Sequence, residues 1–129
     1  MIFTLADAAL AGLAEMIIIL LMVIVTLVES VVMVILKFNH FRKCLLDSFL
    51  VNLASLGTGY LVSGFYNISL GGDTYLSLLI SFLITLIVEG ILLLLLNKAK
   101  AVLKVWNTCL VMNAVTYAGF LVLFIIQHT

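Results

Sequence analysis

Proline is absent from the 129 residues, cysteine and histidine occur twice each, and charged side chains make up only 9% of the chain. Each scarcity excludes something. Soluble domains are about a quarter charged because a folded surface has to be solvated, and this chain lacks the charge to do that. Its six basic and six acidic residues cancel, so no overall field attracts a polyanion and no nucleic-acid partner is expected. His40 falls in a connecting segment and His128 at the tail, and no Cys/His pair has the spacing of a metal site, so neither metal nor cofactor is expected. A phosphate-binding loop, a nucleophile elbow and a dinucleotide fingerprint are all missing, and enzyme activity is not expected.

What fills the chain is apolar: 66% of the residues, with a mean hydropathy of +1.41. A soluble domain this small has too little interior to hide so much apolar surface. Four apolar runs, at about 10–36, 44–64, 74–96 and 105–126, reach the length at which a helix crosses a bilayer. Only a helix, or a closed barrel, satisfies its own backbone in lipid. The expected fold is an all-α, antiparallel bundle of four transmembrane helices in a single membrane domain, 1–129, because connections at 37–43, 65–73 and 97–104 are too short for anything else. The first segment lacks a basic start, and its apolar run exceeds a signal-peptide core, so it reads as a retained helix.

The basic residues set the direction. Lys37, Arg42 and Lys43 lie in the first connection, and Lys98, Lys100 and Lys104 in the third; the second connection and both ends have none. The positive-inside rule then puts both termini outside, with a bacterial inner (plasma) membrane as the expected location. Trp106, Phe38 and Phe41 mark the basic edge, and Tyr66 and Tyr75 the other. Cys44 and Cys109 fall near the cytoplasmic edge, where thiols stay reduced. The triplet Asn67-Ile68-Ser69 matches a glycosylation signal, but so short a loop holds it tight against the membrane, and it reads as chance.

The polar residues suggest an internal repeat. Thr26-Leu27-Val28-Glu29 aligns with Thr85-Leu86-Ile87-Val88-Glu89, Lys43 with Lys104, and Asn52-Leu53-Ala54-Ser55 with Asn113-Ala114-Val115-Thr116, at offsets of 60 for the glutamates and 61 for the lysines, the asparagines and the Ser55/Thr116 pair. Two tandem similar hairpins, about 10–64 and 74–126, would produce this pattern, with a pseudo-twofold axis along the membrane normal.

Counting inward from the basic edge, Glu29 and Glu89 each lie seven residues from a helix end, and Asn52 and Asn113 each lie eight from a helix start. At the helical rise all four fall roughly 10–12 Å below that edge. Ser55 and Thr116 share the faces of the asparagines, and Thr26 and Thr85 those of the glutamates. Groups like these are costly against lipid and are expected to face one another inside the bundle.

Two readings of this layer stand side by side. In one, the carboxylates carry protons or small cations through a transporter or channel, with the amides and hydroxyls as further oxygen ligands. In the other, neutral glutamates clamp helix to helix in an accessory or scaffold subunit of a larger membrane complex. Partners expected from sequence are membrane lipids and either further copies of the chain or such a complex. Asp7 and Glu15 read as interfacial, as does Asp47, favoured near a helix N-terminus. Ser55, Gly59 and Ser63 recur every four residues, a spacing that reads as close helix packing.

Overall fold

A computed structural model describes the backbone of residues 2–69 and 74–127 and the side chains of 7–62 and 75–127. Four helices account for nearly all of it: α1 (Ile2–Ile35), α2 (Phe41–Ser69), α3 (Thr74–Leu96) and α4 (Val102–Gln127). The third matches the apolar run read from sequence. The others extend past their runs, α1 back to Ile2, α2 from Phe41 to Ser69 and α4 back to Val102. The physical reason is simple. Hydropathy marks what lipid accepts, whereas backbone hydrogen bonding decides where a helix ends, and Arg42, Lys43 and Lys104 are good helix formers at exposed helix starts. All four helices are long and apolar enough to cross a membrane, over Asp7–Ile35, Phe41–Val62, Tyr75–Leu96 and Val102–Gln127. Ser63, Tyr66, the Asn67-Ile68-Ser69 triplet and His128 lie outside the residues whose side chains are described.

The helices form a ring. Each packs on its two neighbours, α1 on α2 and α4, and α3 on α2 and α4; among the described residues the diagonal pairs do not meet. At the basic-loop end, side chains fill the axis.

At the basic-loop end, α1 stops in a Schellman turn. The Phe38 amide donates to the Met33 carbonyl at 2.9 Å and the Lys37 amide to the Val34 carbonyl at 2.9 Å. Lys37 takes the left-handed conformation this turn requires, with φ of 53°. Phe38 folds back into the core beneath Lys100, whose ammonium lies 5.0 Å from the ring centre. All the fully buried apolar side chains gather at this end: Met33, Phe38, Cys44, Val51, Leu93, Val105, Cys109 and Met112. Both thiols are free.

The close helix approach occurs in α3 and α4, where a Cβ built on Gly90 would overlap the Trp106 indole. Of the stripe Ser55, Gly59 and Ser63, whose spacing reads as close packing, the Ser63 side chain lies outside the described residues. A Cβ at Gly59 meets nothing within 4 Å, and the glycine lines a cavity instead.

Candidate functional site

An antiparallel hairpin brings together residues equally far from its turn. The short connection after α1 therefore sets Glu29 beside Ser48 and Asn52 of α2, and the connection after α3 sets Glu89 beside Asn113 of α4. Glu29 is 1% exposed and Glu89 0%. Asn52 donates to Glu29 Oε2, and Ser48 Oγ donates to the same oxygen at 3.0 Å. Asn113 Nδ2 donates to Glu89 Oε2 at 2.9 Å. Each asparagine is steadied by its own helix, donating also to the carbonyl four residues back, Ser48 at 2.9 Å and Cys109 at 3.0 Å.

Contacts also cross between the hairpins. Thr116 Oγ1 of α4 donates to Glu29 Oε1 at 3.2 Å, and the Ser55 hydroxyl of α2 lies beside the Glu89 carboxylate. The two carboxylates are near enough to act on each other electrostatically. Thus Glu29, Glu89, Asn52, Asn113, Ser55 and Thr116 come together in one layer. Thr85 joins its edge, its hydroxyl 3.2 Å from that of Tyr117. Thr26 does not. Its carbonyl accepts from Ser30 and from Ser48, but its side chain faces a separate apolar groove between α1 and α2, together with Arg42 and Phe49.

The two acids are not equally satisfied. Both oxygens of Glu29 accept hydrogen bonds, from three side chains on two helices. Among the described residues, Glu89 Oε1 and Ser55 Oγ are buried with no donor beyond each other, and Thr26 Oγ1 is buried without a partner as well. Glu89 and Ser55 line a cavity of about 540 Å³ that rises from the layer away from the basic loops. Its floor is the Glu/Asn/Ser/Thr layer, and its walls are mostly apolar, including Ile18, Leu21, Val25, Leu56 and Phe120.

On the basic-loop side of the layer lies a second polar cluster that sequence reasoning missed. Asp47, expected at the interface, is 0% exposed. It pairs with Lys43 one turn earlier and accepts from Asn97 Nδ2 at 2.8 Å, while Asn97 Oδ1 accepts from Asn39 at 2.9 Å. Lys43 Nζ of α2 reaches the Leu96 carbonyl at the end of α3 at 3.5 Å, and Lys104 Nζ of α4 reaches the Lys37 carbonyl at the end of α1 at 3.0 Å. Cations placed on helix C-terminal carbonyls are favourable. Ser48 was missed as well. The only signal for it was its position four residues before Asn52, which a serine near a helix start does not make distinctive.

Among the described residues, no group of three or more His, Cys, Asp or Glu comes together to hold a metal ion. Comparison with protein-family models, curated proteins and solved structures found no match to this chain. The reading of the site therefore rests on its own chemistry.

Proposed function

We propose that the chain is an integral membrane protein of two tandem similar hairpins that moves protons or small cations through the layer of Glu29, Glu89, Asn52 and Asn113. The single observation that carries this reading is the asymmetry about that layer. Two buried carboxylates floor a cavity on one side of it, and a packed core with the Asp47–Asn97–Asn39 cluster lies on the other. A carrier with its site facing one side is built with that asymmetry, and intramembrane acids are functional candidates on energetic grounds.

The duplication is supported by contacts that recur at the sequence offset. Glu29 with Asn52 corresponds to Glu89 with Asn113, Thr116 on Glu29 to Ser55 beside Glu89, and Ser48 Oγ on the Thr26 carbonyl to Cys109 Sγ on the Leu86 carbonyl. An orientation with the basic end cytoplasmic and both termini outside, in a bacterial inner membrane, is supported by the clustering of all six Lys and Arg in or beside the first and third connections.

A second reading, a scaffold subunit of a larger complex, draws on the three donors that hold Glu29. Three interhelical bonds on one carboxylate make a clamp. The two readings separate in proteoliposomes. Glutamine keeps the shape of glutamate but cannot ionise. For a carrier, proton or alkali-cation flux is expected in the parent and lost when Glu29→Gln and Glu89→Gln are combined, with the melting temperature in detergent nearly unchanged. A parent that conducts none of these ions overturns the transport reading and leaves the scaffold.

A further inference from the structure

The inequality between the two glutamates defines what the site still needs. Glu29 accepts from three side chains; Glu89 Oε1 and Ser55 Oγ are buried with no donor from any other described residue, only each other as neighbours, and both residues line the cavity. A buried acceptor without a donor is costly, and a charged one more so. The Ser55 hydroxyl has one hydrogen to give to the carboxylate beside it, which leaves lone pairs on both oxygens for a group with at least two hydrogens, and a carboxylate favours one that is positively charged.

The rest of the cavity says what that group is attached to. About 540 Å³ lies in the range of pockets that enclose organic molecules, roughly 300–1,000 Å³. An alkali ion would leave nearly all of it empty. Such an ion would be held in the polar floor, and Ile18, Leu21, Val25, Leu56 and Phe120 above it supply no oxygen ligand. Apolar walls over an acidic floor match an amphipathic cation, with Tyr117 and Phe120 among the lining residues as aromatic surface.

We propose that the cavity binds a protonated primary or secondary amine with an apolar body, its N–H groups donating to Glu89 Oε1 and Ser55 Oγ. The proposal rests on the reading of the layer as a transport site and names its cargo. Glu89 holds the ammonium; Glu29, already engaged by Ser48, Asn52 and Thr116, holds the helices around it. A quaternary ammonium has charge but no N–H and binds more weakly. A neutral alcohol of the same shape has no charge and binds more weakly still.

The test uses the full chain in phosphatidylcholine nanodiscs at neutral pH, with phenylbutylamine, its trimethylammonium analogue and phenylbutanol as probes, read by calorimetry and by thermal shift. Saturable amine binding is expected, weaker for the trimethylammonium and weakest for the alcohol. Glu89→Gln should cost about tenfold or more in affinity, Ser55→Ala several-fold, and Glu29→Gln less than either. Equal response to amine and alcohol in the parent, which needs no variant to fold, overturns the proposal, because it means partition into an apolar space. Binding that survives Glu89→Gln overturns it too. If the parent conducts protons or alkali cations in proteoliposomes yet shows no amine preference, the amine proposal falls and the transport reading stands. If it neither conducts ions nor prefers the amine, both fall.

Discussion

At the basic-loop end of the bundle, Asp47, Asn97, Asn39 and Lys43 tie α2 to α3 and to the connection after α1, around a core in which Met33, Phe38, Leu93 and Met112 are at most 1% exposed. At the opposite end the same helices enclose a cavity. Contacts there include aromatic edges within the second hairpin, Tyr75 with Phe124 and Phe82 with Tyr117. The difference teaches where helix association in a membrane comes from. Lipid tails are as apolar as leucine, so hydrophobicity does not drive helices together there; packing and interhelical hydrogen bonds do. Where the sequence supplies both, the ring closes. Beyond the layer, where such bonds are fewer among the described residues, the four helices line the cavity. The glutamate layer sits at the boundary, close enough to the packed end to be held and exposed to the cavity on its other side.

The comparison can be broken most forcefully at Asp47. Replacing it with alanine leaves Lys43 and the Asn97 amide short of their buried acceptor. A loss of about 3 kcal/mol is expected in unfolding measurements in detergent. Thr58→Ala, which removes a hydroxyl bonded only to its own helix at Ala54, should stay within about 0.5 kcal/mol. Equal losses would mean that the two ends are held alike.

Two glycines make the same contrast with one methyl group each. Gly90→Ala forces a Cβ into the Trp106 ring and should destabilise by about 1–3 kcal/mol. Gly59→Ala meets open space and should be neutral or stabilising by up to about 1 kcal/mol through helix propensity. Melting temperatures of the pair check this directly.

The smallest effect sharpens the picture of the closed end. Lys37 sits at φ 53°, which costs a side-chain-bearing residue about 1 kcal/mol. Lys37→Gly should recover up to that amount, visible as a modest rise in melting temperature, since the bond from Lys104 goes to the Lys37 carbonyl and survives.

Most of this architecture was readable from the residues alone, for reasons that also mark what was not. A lone Glu or Asn inside an apolar run is conspicuous, and counting from the basic edge gave its depth, so the Glu29–Asn52 and Glu89–Asn113 contacts could be anticipated. Depth alone does not say which neighbour a residue meets. Thr26 shares an approximate face with Glu29 yet faces the α1–α2 groove, because a helical residue lies between two neighbours and a three-residue step rotates it toward one of them. Asp47 read as interfacial because only its distance from a helix end was counted. Its burial depends on Asn97, fifty residues away, and nothing local announces that partner. Spacing of small residues permits close approach, but approach also needs a helix on that side, and Gly59 faces the cavity.

Trp106 gives the close contact with Gly90 a further consequence. It is the single tryptophan of the chain, and it lies against the residue that follows Glu89. Indole emission shifts with the polarity and packing around the ring, so the protein carries its own optical gauge of the α3–α4 seam. Any event at Glu89 that slides or tilts α3 against α4 will register in the unlabelled protein as a change in emission wavelength or intensity, on the timescale of the movement itself.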